Sequence, residues 1–146
     1  MPRVRLFEII GATIIMALTV FAGISCGDEG NAAKLEGITW VLKSYGEPND
    51  LKAAIPDHEP TLTFDKETKT VQGNGGVNGY GGDYKLDGSK MTISGLIHTM
   101  MASTDQALNV QEMTFFNILG SAESYEISGG ELTITGSEGI LVFTPQ

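Results

Sequence analysis

One cysteine, two histidines and nine basic residues leave this chain short of several kinds of chemistry. A lone Cys26 excludes an intramolecular disulfide. His58 and His98 stand far apart and neither has an HxxxH, HExxH or cysteine partner. Zinc needs three or four ligands, so no metal or cofactor is expected. Lys and Arg total 9 against 18 Asp and Glu, for a formal net charge of -9. That balance argues against nucleic-acid binding, which requires clustered cations facing the phosphates. No G-x-S-x-G elbow is present, and Ser103 has no base near it in sequence. The glycine-rich run 73–82 contains neither GxGxxG nor GK[ST], and a strand rather than a helix follows it. Paired acids such as Asp57 with Glu59 read as charged surface. The six methionines show no Met-x-x-Met repeat, so Met100 and Met101 are expected as buried filling rather than as soft-metal ligands. Nothing here marks an enzyme.

What the chain does have begins at its N-terminus. Arg3 and Arg5 give a short positive start, and Ile9 to Ile24 carry no charge. That length fits the apolar core of a signal segment and falls short of the ~20 apolar residues a spanning helix prefers. Apolarity stops at Cys26. The stretch Gly23-Ile24-Ser25-Cys26 resembles a bacterial lipobox, with Gly23 standing where a Leu-like residue is usual. The expectation is therefore a lipoprotein signal peptide over 1–25, lipid on Cys26, a small polar tether over 26–34 and one domain over 35–146. Lipidation also removes a thiol that would be exposed in an oxidising compartment. The expected place is the cell envelope, anchored to a membrane and facing the periplasm or exterior.

In the remainder, 19 glycines and short alternating segments point to strands and turns. Strands are expected at Ile38–Ser44, Thr61–Asp65, Lys69–Gln72, Asp83–Leu86, Lys90–Ser94, Ser124–Ser128, Glu131–Thr135 and Ile140–Thr144. Tyr45–Pro60 reads as loop with a short helical turn at Leu51–Ile55. One helix is expected at Gln106–Leu119, capped by Thr104 or Asp105 and stopped by Gly120. Leu108, Phe115 and Leu119 share a stripe that Val110, Met113 and Phe116 broaden. The fold class is mainly β, or α+β: a small antiparallel barrel or sheet of about seven or eight short strands with one packed helix.

Several pieces are recognisable together and in order. They are Ile38-Thr39-Trp40-Val41-Leu42, Thr61-Leu62-Thr63-Phe64, the run Gly73 to Tyr84, and Thr99-Met100-Met101-Ala102-Ser103, followed by Phe115-Phe116 and Leu132-Thr133-Ile134. Together they resemble the META domain, the HslJ-like family of small bacterial envelope proteins. The most specific piece is the G-x-N-x-Y-x-G-x-Y run from Gly76. The resemblance implies a compact antiparallel β fold with a helix, a link to envelope stress and antibiotic tolerance, and no family-wide activity or ligand. It carries over Trp40, Gly76, Asn78, Tyr80, Gly82, Tyr84 and Thr99 as scaffold positions. Where the family often has two cysteines, this chain has Val77 and Ser103, so the resemblance places those two near each other, held by packing alone.

Two functions follow as expectations. The first is a non-catalytic envelope lipoprotein with a binding or stress-tolerance role, anchored through its lipid and able to meet an envelope protein partner. The second is a small β-barrel that binds a hydrophobic ligand. Its bulky residues Trp40, Phe64, Tyr84, Phe115, Phe116 and Phe143 look sufficient to fill so small a barrel.

Overall fold

The computed structural model describes residues 34–146. The signal segment, Cys26 and all of the tether except Lys34 lie outside the described residues. Nine strands and one long helix follow in order: β1 Thr39–Glu47, β2 Asp50–Ala53, β3 Thr61–Asp65, β4 Thr70–Asn74, β5 Gly79–Asp87, β6 Lys90–His98, α1 Gln106–Gly120, β7 Ala122–Ser128, β8 Glu131–Gly136 and β9 Gly139–Pro145. Neighbours pair antiparallel in the order β2-β1-β3-β4-β5-β6-β7-β8-β9, and β9 returns to pair with β1. Eight strands thus close into a barrel, with β2 outside the ring as an extension of β1. No helix among the described residues is long and apolar enough to cross a membrane.

The expected helical turn at Leu51–Ile55 is corrected to the strand β2. The reason lies in unequal strand lengths. One edge of β1 is taken by β9, and β3 covers only Thr39–Val41 of the other. The remaining Ser44–Glu47 edge would leave main-chain donors and acceptors unpaired. Asp50–Ala53 satisfies them in register, Ser44 opposite Ala53 and Glu47 opposite Asp50.

Inward residues follow the strand alternation: Trp40, Leu42, Leu62, Phe64, Val71, Met91, Leu132, Ile134, Leu141 and Phe143 are buried. A bulge between Leu42 and Ser44 turns Lys43 outward to pair with Glu131 and brings Tyr45 into the core. The barrel interior is filled by side chains.

Its two ends are closed differently. At one end Leu35 is fully buried and its carbonyl accepts from Trp40 Nε1 at 3.0 Å. There Tyr84 Oη donates to Glu36 at 2.5 Å, and Lys69 Nζ donates to the same carboxylate at 3.1 Å. The opposite end carries the β1–β2, β4–β5 and β8–β9 turns, and α1 lies across it. Gly136 and Gly139 approach Ile118 there, and Gly75 approaches Phe116.

The helix buries Leu108, Gln111, Glu112, Phe115, Ile118 and Leu119. This 3-1-3-3-1 spacing is one helical face. Val110 and Met113, expected to widen the buried stripe, are instead 49% and 59% exposed. Asp105 caps the start by accepting from Ala107 N at 2.8 Å. Gly120 remains helical, and the backbone N–H of Ser121 closes the end.

Candidate functional site

Two polar residues on the buried stripe of α1 hold the turns beneath it. Gln111 is fully buried; its Oε1 accepts from Ile55 N and its Nε2 donates to His58 O, each at 2.8 Å. One amide thereby fixes the loop before β3 to the helix. His58 itself is exposed, as its polar loop implies.

Glu112, one residue on, faces the β4–β5 turn. Its Oε1 accepts from Asn78 N at 2.6 Å and Val77 N at 3.1 Å, and its Oε2 accepts from Asn78 Nδ2 at 2.6 Å. Asn78 is 3% exposed and uses its remaining capacity on the chain after β6. Its Nδ2 also donates to Met101 O at 2.9 Å, while its Oδ1 accepts from Met101 N at 2.7 Å and Thr99 Oγ1 at 2.8 Å. A carboxylate that accepts only from N–H groups of a turn satisfies the rule that buried polar groups be paired. The turn must approach closely for this. At Gly75 a Cβ would stand 2.7 Å from both Glu112 Oε1 and Phe116 Cζ, and Gly76 adopts φ +107°.

The segment between β6 and α1 is gripped a second time. Asn109 Oδ1 accepts from Ser103 N at 2.9 Å and its Nδ2 donates to Ser103 O at 2.8 Å. Asn78 and Asn109 therefore each clamp both backbone groups of one residue, Met101 and Ser103 respectively. The Met side chains stay exposed beside this clamp. Met100 is 93% exposed and Met101 62%. This corrects the expectation of buried filling: the Met101 backbone is held by Asn78, while both side chains remain exposed.

The result is a cleft of about 370 Å³ between that segment and α1, lined by His98, Met101, Ala102, Asn109, Glu112, Met113, Phe116 and Asn117. At its wall the His98 ring stacks on Phe116 with centroids 4.6 Å apart and planes 11° from parallel. His98 Nδ1 lies 2.8 Å from Thr99 O. Phe116 in turn meets Tyr80 edge-on at 5.3 Å. An apolar guest would find sulfur, methyl and ring surface here.

Of the residues carried by the family resemblance, Gly76, Asn78, Tyr80 and Thr99 gather at this end. Tyr80 is buried, donates to Thr61 O at 2.9 Å, and has its phenol pushed well above the ordinary value by that burial. Gly82 sits in the barrel wall, where a Cβ would meet Ser94 O and Leu96 at 3.0 Å. Trp40 and Tyr84 belong to the opposite end. Val77 and Ser103 hydrogen-bond to Glu112 and Asn109, which lie three residues apart on one helix face.

Sequence reading missed Gln111, Glu112, Asn109 and the exposed methionines as parts of one site. A signal was present: Gln111 and Glu112 fall on the stripe set by Leu108, Phe115 and Leu119, where polar side chains must find internal partners. Among the described residues no three His, Cys, Asp or Glu side chains gather to hold a metal.

Comparison with known proteins places this architecture. The profile of a family described as the META domain matches residues 33–146. A solution structure of a protein from Burkholderia xenovorans is similar, with a TM-score of 0.65 and 20% identity, covering 100% of this chain and 99% of that one. A second solution structure matches with a TM-score of 0.61 and 20% identity over 77% of this chain and 92% of the other. A crystal structure of a DUF4847 family protein from Bacteroides vulgatus has a TM-score of 0.51 and 18% identity over 75% and 93%. At these identities the likeness concerns fold. No curated protein matches the sequence.

Proposed function

The chain belongs to the META domain family, and on that premise we propose that it is a non-catalytic binding module whose ligand inserts an apolar group into the methionine cleft. The closed eight-stranded barrel is the architecture that the hydrophobic-ligand reading calls for, with the ligand inside it. We put the binding space outside the barrel instead, because Phe64, Phe115 and Phe143 are fully buried in its core. One observation carries the reading: Met101 and Met113 stay exposed although Asn78 holds the Met101 backbone by two hydrogen bonds and Met113 lies on α1. Met101, Ala102, Met113 and Phe116 line one cleft, and it is contiguous apolar surface of this kind that marks interaction sites.

A lipid on Cys26 would tether the domain by the end where Lys34–Gly37 enter, opposite α1. The cleft would then open away from the membrane, toward ligands arriving from the envelope space. A role in envelope stress tolerance fits such a receptor.

The test uses N-phenyl-1-naphthylamine, a neutral apolar fluorophore, since a net charge of -9 repels anionic dyes. Full-length protein is expected to enhance its emission saturably, and Met113→Asp to abolish the enhancement without lowering the melting temperature. Unchanged binding by Met113→Asp contradicts the site.

A further inference from the structure

The exposed ridge of α1 has a second cleft on its other flank. It measures about 180 Å³ and is lined by Tyr45, Gly46, Glu47, Asp50, Lys52, Val110, Thr114 and Glu138. Glu47, Asp50 and Glu138 are exposed. Lys52 is the one cation there, and α1 carries no Lys or Arg. Val110 and Met113 are one turn apart on the ridge, so the methionine cleft and the acidic cleft are separated only by the width of the helix. That width is about 10 Å with side chains.

We propose that the occupant of the methionine cleft is a cationic amphipathic peptide segment that crosses α1, seating an apolar side chain against Met101 and Met113 and a basic side chain among Glu47, Asp50 and Glu138. Extended chain advances about 3.3 Å per residue. An apolar residue followed about three or four positions later by Lys or Arg spans the ridge. Charge complementarity selects the peptide's sign, since three carboxylates against one ammonium favour a cation and repel an acidic segment. Val110 supplies apolar surface at the crossing point, 49% exposed. The inference rests on the methionine cleft being a binding site; what it adds is the acidic flank and the class of ligand.

The experiment measures fluorescence anisotropy of a labelled short peptide, Leu-Leu followed after two serines by Lys-Lys, on the full-length chain. Analogues replace the lysines by Glu or the leucines by Ser. Binding is expected only for the parent peptide, and raised salt should weaken it. The triple variant Glu47→Gln, Asp50→Asn, Glu138→Gln alters exposed groups alone. It should bind the parent peptide about tenfold more weakly while binding N-phenyl-1-naphthylamine as the unaltered chain does. If the naphthylamine binds and the peptide does not, or the Glu analogue binds equally well, the peptide inference is overturned and the cleft reading stands. If neither probe binds, both fall. A chain that self-associates through this face, with dimerisation lost in the triple variant, would also overturn it by naming a second copy as the occupant.

Discussion

Asn78 shows how much one side chain can organise. Its amide joins the β4–β5 turn, the carboxylate of Glu112 and both backbone groups of Met101. Asn78→Ala strands the Met101 groups and one oxygen of a buried carboxylate, so it is expected to destabilise the fold by ~2–4 kcal/mol in urea unfolding. Cleavage by protease within 99–105 should rise in parallel. The position was legible in sequence through its place in the glycine-rich run. Its partner Glu112 was not, because an acid on a helix reads as solvent-facing until the turn that covers it is known.

A second residue-scale prediction concerns Glu36. Burial pushes its carboxyl up, but hydrogen bonds from Tyr84 and Lys69 and the charges of Lys69 and Lys66 outweigh that and hold it below the ordinary 4.5. A folded-state value below the unfolded one means the carboxylate stabilises the fold above pH 4.5, and that this contribution fades as pH falls through the folded-state value. The stability difference between the unaltered chain and Glu36→Gln should therefore shrink on acidification below 4.5, as read from paired urea melts.

At the scale of elements, most strand positions and the helix start could be read from alternation and capping. Thr61–Asp65 is observed with its expected bounds. The N-cap is Asp105, and Asp105→Ala should cost about 1 kcal/mol in thermal unfolding. What alternation could not give was β2, whose residues are all exposed and show no pattern; it exists because β3 is too short to cover β1. The helix face was also partly hidden. Val110 and Met113 raise the apolar count without being buried, while Gln111 and Glu112 are buried through partners distant in sequence. Close approach makes the same point for glycine. A Cβ at Gly73 would lie 2.0 Å from Thr61 O. Gly73→Ala is expected to break the β3–β4 ladder, with loss of the cooperative thermal transition as the readout.

On the scale of the whole molecule, the N-terminal segment 35–37 and α1 lie at opposite ends of the barrel. The chain enters at the end closed by Leu35, and the ligand-binding surface proposed here lies across α1 at the other. Membrane attachment through Cys26 is a proposal that the described residues do not reach; Cys26→Ala should release the protein from the membrane fraction and leave the naphthylamine titration unchanged. The central claim is that an apolar ligand binds outside the filled barrel. Methyl NMR of methionine-labelled full-length protein, titrated with N-phenyl-1-naphthylamine, separates the two spaces. Met101 and Met113 lie at the cleft, and Met91 is in the barrel core at 1% exposure. The Met101 and Met113 methyls should shift saturably while Met91 stays fixed. A shift of Met91 with the cleft methyls unmoved would put the ligand inside the barrel and contradict the claim.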